Sequence, residues 1–135
     1  MFKLDFVTPE AKIVVDQDLA EITLPAERGE LNILPGHSPL MTTLKPGTLT
    51  YRLANGETGR YAISWGYCQI SDRGVSVLAE NAVTADQVNV KADQDQLKQL
   101  ETRLMTETLE DGDWEVVQSE MGRLKAELEI AAPSR

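Results

Sequence analysis

The chain has 135 residues, of which 22 are acidic and 13 are basic, so its formal net charge is −9. This length accommodates one ordinary domain, or one domain with a small appendage. The acidic balance argues against a nucleic-acid-binding protein, because neutralising phosphates requires clustered Lys and Arg. No apolar run approaches the roughly 18 residues of a membrane span, and we expect no signal peptide because the N-terminus alternates apolar and charged residues.

Strands are predicted for the first part of the chain. Apolar and polar residues alternate there with a period of two, and Asn55-Gly56 is a tight-turn signal between two such runs. Short strands joined by turns, without helices between them, predict an antiparallel β-sandwich or barrel. The predicted strands cover residues 2–6, 20–24, 49–53, 60–65, 67–70 and 75–79.

The chain changes character near residue 90. Residues 1–92 carry 11 acids and 8 bases, a net charge of −3, whereas residues 93–130 carry 11 acids and 4 bases, a net charge of −7. The second stretch contains no proline and only two glycines, Gly112 and Gly122, as expected of helices. We therefore divide the chain into a β-sandwich domain, residues 1–88, and a C-terminal antiparallel two-helix hairpin, residues 89–135.

The first predicted helix begins with a candidate capping box, in which Asp93 is the cap and Gln96 reaches back to it. It is expected to end around Leu109. Its apolar residues recur at helical spacing and form one stripe, which consists of Leu97, Leu100, Leu104 and Met105.

The second predicted helix follows a turn at residues 110–112, with Asp113 as its cap and Pro133 as its stop. Spacings of three and four residues are typical of a helix that packs on one neighbour, and a short turn between two such helices predicts an antiparallel hairpin. The apolar stripe consists of Trp114, Val117, Met121, Leu124 and Leu128.

The residues give little indication of catalysis. His37 and Ser38 are neighbours in a turn-rich loop, but a nucleophile and its base must meet in space beside a third group, and adjacency supplies no such geometry. The lone Cys68 excludes an internal disulfide, fits a reducing compartment and is predicted to be a small core residue. With one His and one Cys we expect no metal site, and these patterns favour a binding protein over an enzyme.

One segment resembles a family signature. Residues 29–40 read GELNILPGHSPL, and residues 45–47 read KPG. This closely resembles the epsilon subunit of F-type ATP synthases, in which G-E-L/F-x-x-x-P-G-H-x-P-L precedes K/R-P-G. DFVTPE at residues 5–10 and VSVLA at residues 75–79 agree with the family in order and spacing, so the resemblance covers essentially the whole chain.

The resemblance implies a non-catalytic rotor component of the central stalk. Epsilon subunits bind the gamma subunit through the sandwich and sit on the ring of c subunits, and so help to couple rotation to the catalytic head. Their hairpin folds against the sandwich or extends toward the alpha and beta subunits, where it can inhibit ATP hydrolysis. The implied location is the cytoplasmic face of a bacterial inner membrane, reached only through partners. The stromal side of a chloroplast thylakoid is the alternative.

Candidate contacts with the c ring carry over from the signature. Glu30 and the loop of Pro35, Gly36, His37 and Ser38 match the family segment at the foot of the stalk, which faces the polar loops of the ring. Proline and glycine stiffen such a turn, and a glutamate can meet a basic or polar loop.

The hairpin carries fewer basic residues for contact with the beta subunit than the resemblance implies for relatives. Where relatives place Lys and Arg opposite an acidic segment of the beta subunit, residues 113–130 carry five acids against only Arg123 and Lys125. We expect inhibition to be weak or to rest on apolar contacts, since like charges across an interface cost free energy. Arg123 and Lys125 are the candidate basic contact.

Two motifs depart from the family patterns. ATP-binding members carry I/L-D-x-x-R-A at the start of the hairpin, where Val88 here is followed by Asn89 in place of the acid and by Ala92 in place of the arginine. The motif is degenerate, so we expect no bound cofactor. Trp65 stands where the family commonly has glycine, which implies different local packing.

Two alternatives come from other classes of protein. One is a stand-alone adaptor that binds a partner protein through its helical hairpin. The other is a nucleotide-sensing or hydrolytic β domain, which the missing phosphate-binding and catalytic motifs disfavour.

Overall fold

The computed structural model describes residues 2–106 and 110–131 of the chain. Strands precede helices throughout, and a short 3-10 helix, Ala85–Gln87, joins the two parts. The helices are α1 (Val90–Thr106) and α2 (Asp111–Ala131). The strands are β1 (Lys3–Val7), β2 (Lys12–Ala26), β3 (Gly29–Ile33), β4 (Leu40–Leu44), β5 (Gly47–Leu53), β6 (Thr58–Ile63), β7 (Gly66–Ser71), β8 (Gly74–Ala79) and β9 (Ala82–Val83).

The strands form a β-sandwich whose two layers share one long strand. The N-terminal half of β2 pairs with β1, and its C-terminal half pairs with β3 on one side and β5 on the other. One layer continues from β5 to β6 and β9, and the other continues from β1 through β8 and β7 to β4. All these pairs are antiparallel except β1 with β8. The predicted sandwich followed by two helices is confirmed.

The main hydrophobic core lies between the layers and takes its buried residues from the strands alone. Alternation directs every second side chain inward, as in β1, where Leu4 and Phe6 are fully buried. The ring of Phe6 packs edge-on against that of Tyr61, with 5.3 Å between the ring centroids. Because burial of apolar surface dominates folding, the sandwich contains most of what stabilises the chain.

The strand predictions were right in kind but incomplete. The predicted strand 20–24 is the end of β2, which already begins at Lys12. No strand was predicted for residues 29–33 or 40–44, which form β3 and β4. Only residues 34–39 between them are irregular. The prolines and the glycine of residues 34–39 are turn signals, and the strands on either side are only five residues long, so their alternation is too short to identify them.

The predicted start of the first helix was wrong by four residues. Asn89, not Asp93, is the cap: its side-chain oxygen accepts a hydrogen bond from the Ala92 amide at 3.0 Å. Asp93 instead lies in the first turn with its side chain buried. Of the predicted stripe, Leu97, Leu100 and Leu104 are half-buried, whereas Met105 is 86% exposed. The expected end near Leu109 lies outside the described residues.

The second helix also begins earlier than predicted. It includes Asp111, so Asp113 is not its cap, and the backbone oxygen of Glu110 already accepts a bond from the Trp114 amide. Trp114 does not join the predicted stripe and is half exposed. Pro133 lies outside the described residues.

The buried face of α2 is wider than a single seam because the helix packs on both α1 and the sandwich, against β5 and β6. Ala126 and Ile130 form a small second core with Ala62, and Val83 and Val88 pack beside it. The guanidinium of Arg60 donates a 3.1 Å hydrogen bond to the backbone oxygen of Ile130, near the C-terminal end of the helix. The other buried residues of α2 are Val117, Met121, Leu124 and Glu127.

We predict that a fragment of residues 1–88 folds cooperatively without the hairpin. Its main core stays complete, whereas removing α2 exposes the small second core and the surfaces of β5 and β6 that the helix covers, and breaks the bond from Arg60 to Ile130. We expect a loss of about 1–2 kcal/mol in the free energy of unfolding, a fall of roughly 5–15 °C in the melting temperature. Thermal melting followed by near-UV circular dichroism measures this, and a molten fragment without a cooperative transition would contradict it.

Candidate functional site

An exposed apolar surface covers the outer side of one layer of the sandwich. Met41 of β4, Tyr67 of β7 and Leu78 of β8 point outward, with Trp65 just before β7, and we call these four residues the docking face. Their exposed fractions are 68%, 51%, 45% and 45%, respectively. Tyr67 and Leu78 are direct partners in the ladder between β7 and β8. Adjacent exposed apolar side chains of this size indicate a surface that binds another protein.

Close backbone packing holds this surface together. A Cβ atom at Gly66 would lie 1.9 Å from the backbone oxygen of Leu78, so only glycine allows β7 and β8 to approach at this point. Trp65 is the residue that replaces the family glycine. Its backbone oxygen accepts a 2.8 Å hydrogen bond from the amide of Glu80, the residue after β8. Its side chain therefore extends the docking face and does not enter the core.

Sequence reasoning missed the other three residues of the docking face. Tyr67 occupies an outward position of an alternating strand, where Gln69 is also exposed and Cys68 and Ile70 are buried. A large apolar residue at an outward position was the available signal. Leu78 shows the same signal, being exposed between the buried Val77 and Ala79 of β8.

The signature loop is a tight turn with no catalytic arrangement. The His37 amide donates to the backbone oxygen of Leu34 at 3.1 Å, and Gly36 adopts a φ of 91°, which favours glycine. The Nδ1–H of His37 donates to the backbone oxygen of Ser38 at 2.7 Å, so this ring nitrogen is not a base for the Ser38 hydroxyl. Pro35, Gly36 and Ser38 are exposed, and His37 is half-buried.

Glu30 is separate from that loop. It lies in β3, exposed, where it pairs with Pro25 of β2 beside the turn between the two strands. The loop leaves the other end of β3, so the strand places the two parts of the signature roughly 10–15 Å apart. The structure thus brings Pro35 to Ser38 together but does not place Glu30 beside them.

The degenerate nucleotide motif lies where the 3-10 helix leads into α1. Val88 is half-buried and packs beside the small second core. Asn89 is engaged as the helix cap and is exposed, and Ala92 is also exposed. At the three motif positions no side chain offers a cation to phosphate, since neither asparagine nor alanine is basic.

Arg123 and Lys125 have different environments on α2. The guanidinium of Arg123 donates to the carboxylate of Glu120 at 2.9 Å and to that of Glu127, one turn later, whereas Lys125 is exposed. These acidic neighbours raise the pKa of Arg123, although its partial burial opposes the shift. The two candidates are therefore not equivalent, because Arg123 already neutralises acids of its own helix.

Cys68 is a core residue, as predicted. Its side chain is fully buried in β7, and burial raises the pKa of the thiol to about 12. Within the described residues there is no group of three His, Cys, Asp or Glu side chains arranged to hold a metal ion. Neither described helix combines the length and apolar character needed to cross a membrane.

Comparisons with known proteins agree on one family. Residues 1–85 match the family described as ATP synthase, Delta/Epsilon chain, beta-sandwich domain. The ATP synthase epsilon chain of Bdellovibrio bacteriovorus is 43% identical over 130 residues, which are 96% of this chain and 93% of that protein. The epsilon chain of Geobacter sulfurreducens is 36% identical over 129 residues, 96% of this chain and 92% of that protein.

Solved structures share the same fold. A chain of the Euglena gracilis mitochondrial ATP synthase aligns with a TM-score of 0.81 at 21% identity, covering 96% of this chain and 80% of that one. A chain from the central stalk and c ring of the Tetrahymena thermophila mitochondrial enzyme aligns with a TM-score of 0.71 at 15% identity, covering 97% and 96%.

The fold is that of the delta/epsilon β-sandwich with two C-terminal helices. With relatives at 43% and 36% identity over nearly the whole length, the chain belongs to the family of ATP synthase epsilon chains. It is a non-catalytic subunit of the ATP synthase. Family membership favours this function over the stand-alone adaptor and the hydrolytic β domain.

We predict that the chain binds ATP more weakly than the micromolar range. Replacing Asn89 by Asp and Ala92 by Arg restores the acid and the arginine fork of the motif, so isothermal titration should show a gain of at least about tenfold in affinity. The matched control combines Asn89→Asp with Gln94→Arg, which adds the same charges but places the guanidinium at a neighbouring exposed position. Micromolar binding by the unmodified chain would contradict the prediction.

Proposed function

We propose that this epsilon chain binds the gamma subunit through the docking face and meets the c ring through Glu30 and the loop of Pro35 to Ser38. Structural neighbours with the same fold include a chain of the central stalk and c ring of another ATP synthase. This supports partners within that complex in general. The particular surfaces are inferred from exposure and charge on this chain.

The observation that carries the gamma contact is the docking face itself. Its large apolar side chains lie on or beside the adjacent strands β4, β7 and β8, and Tyr and Trp are enriched among the residues that contribute most to binding at protein interfaces. Burying such side chains contributes about 25 cal/mol for each Å² removed from water. A subunit that turns together with gamma needs such a strong, persistent contact.

A polar contact fits the ring better than an apolar one. Glu30 is exposed beside the turn that also carries Glu27 and Arg28, both exposed. Charged groups set orientation and register at an interface more than they add affinity, which suits a contact with the polar loops of the ring. The loop of Pro35 to Ser38 offers stiff backbone at the other end of β3.

The hairpin is the surface we propose for the alpha and beta subunits. Arg123 is engaged with Glu120 and Glu127, which leaves Lys125 as the more available cation of the candidate pair. This arrangement supports weak electrostatic attraction to an acidic partner, and hence weak inhibition of ATP hydrolysis. The bacterial relatives support a location at the cytoplasmic face of the inner membrane, held there through partners.

We predict that Leu78→Asp weakens gamma binding at least about tenfold, because the interface must then desolvate a carboxylate in place of an apolar side chain. The matched control is Val116→Asp, which makes a comparable change at an exposed residue of α2. Binding of purified gamma by each variant, measured by titration calorimetry, tests the docking face. Equal affinities for wild type and Leu78→Asp, with folding unchanged, would contradict the proposal.

We predict that Glu30→Lys reduces ATP-driven proton pumping by the assembled enzyme and changes the melting temperature of the free chain by less than about 2 °C. An exposed charge contributes little to stability, whereas reversing it at a polar interface creates repulsion. Glu57→Lys, an identical change in the exposed turn between β5 and β6, is the control. Parallel losses of stability and pumping in Glu30→Lys would instead identify a structural residue.

A further inference from the structure

Helix α1 buries little apolar surface against the rest of the chain. The helix packs chiefly on α2, and its leucines in the predicted stripe are only half-buried. Among the described side chains of α1, the one that is buried is a carboxylate, that of Asp93, with 8% of its surface exposed. Because so little apolar area is covered, a polar contact at this position has unusual weight in holding the helix.

The partner of Asp93 on α2 is a second buried carboxyl group. Glu127 is 7% exposed, and it lies close enough to Asp93 across the contact between the helices for the Asp93 carboxylate to raise the pKa of Glu127. Arg123, one turn earlier on α2, donates to Glu127 and divides its guanidinium between Glu127 and Glu120. Two buried acids therefore face each other, and the cation bonded to one of them, Arg123, is also bonded to Glu120.

This pair is incomplete when both acids are ionised. Asp93 Oδ2 is then a buried acceptor that receives no hydrogen bond from the described part of the chain. A carboxylate can only accept, whereas a protonated carboxyl can donate. A proton on Glu127 would supply the missing donor, and leaving the acceptor unpaired would cost free energy.

The surrounding charges do not compensate for two ionised carboxylates buried side by side. Burial raises the pKa of Glu127, Arg123 opposes that shift, and the nearby Asp93 carboxylate raises the pKa further. On the sandwich side, Arg60 of β6 bonds the backbone oxygen of Ile130. Glu120, the remaining charged group in the network, competes for Arg123.

We propose that a proton held by Glu127 and donated to Asp93 fastens α1 to α2, and that loss of this proton as the pH rises loosens α1 while the sandwich stays folded. The packing of the hairpin thus responds to pH through one buried pair of acids. The device requires no bound ligand and is independent of which partner the hairpin later contacts.

The direction follows from linkage between proton binding and packing. The pKa of Glu127 is raised above its ordinary value of 4.5 when α1 is packed, so the packed state binds the proton more tightly than the open state. The stabilisation is complete below pH 4.5 and is lost as the pH rises through the raised pKa. Each unit of that rise corresponds to about a tenfold change in the packing equilibrium.

Hydrogen exchange measured by mass spectrometry on the full chain tests the proposal. The readout is the protection of α1 amides from about pH 5.5 to pH 8.5, a range above the sequence isoelectric point of 4.5. Each variant is compared with wild type at the same pH, because intrinsic exchange itself depends on pH. Peptides from β7 serve as the reference for the sandwich.

The variants are Glu127→Gln and Asp93→Asn, either of which places an uncharged donor in the pair. Their matched controls are Glu129→Gln and Asp95→Asn, the same changes at exposed positions of the same helices. We expect protection of α1 to fall with pH in wild type and both controls, and to stay flat in the two pair variants. At the highest pH the pair variants should then be better protected than wild type.

Other outcomes would overturn the proposal. They are the same pH dependence in wild type and both pair variants, flattening in the controls as well, or loss of protection in β7 in parallel with α1. The last outcome would show that the titration acts on the stability of the whole chain. Binding of gamma plays no part in this experiment, so its result is independent of the proposed docking face.

Discussion

The sandwich depends on the pairing of β2 with four other strands. Its first half pairs with β1, and its second half pairs with β3 and β5 before Ala26 meets Leu44 of β4. To serve both layers the strand must bend, and it does so at a bulge where Asp16 adopts a φ of 51°. The Asp16 amide donates to the side chain of Asp5 at 2.8 Å, which anchors the bend to β1.

This strand also links the two proposed rotor contacts. The Pro25 oxygen accepts a 3.0 Å bond from the Lys45 amide, and the Glu27 amide donates to the Thr43 oxygen at 3.1 Å. Pro25 is the ladder partner of Glu30, and Thr43 lies opposite Tyr67 of the docking face. Backbone hydrogen bonds and strand pairing therefore connect the position of Glu30 to the strands that carry the docking face.

Sequence patterns captured the parts of the fold that obey local rules. Alternation and Asn55-Gly56 identified the β5–β6 hairpin because both are properties of neighbouring residues. The period of a helix indicates which residues share a face but not whether a neighbour covers that face. Met105 and Trp114 were therefore assigned to buried stripes, but the structure leaves both side chains exposed. Alternation did place Tyr67 at an outward position, but it could not show that Met41 and Leu78 lie on the same outer face.

The buried Asp93 was beyond such patterns for a related reason. An acid in the first turn of a helix suggests a cap or a favourable interaction with the helix dipole, and both are common. Its pairing with Glu127, more than 30 positions along the chain, arises only when two helices pack. The family signature was recognisable from the sequence alone. Only the structure shows that Glu30 lies at one end of β3 and that the loop of Pro35 to Ser38 follows the other end.

The burial of Cys68 has a practical consequence for following the hairpin. The nucleophile that attacks a maleimide reagent is the thiolate. Because the Cys68 thiol is fully buried and resists ionisation, it will not react with maleimides in the folded chain. It is also the only cysteine in the sequence. Fluorophores or spin labels can therefore be attached at cysteines introduced on α1 and the sandwich without first removing a native residue from the core.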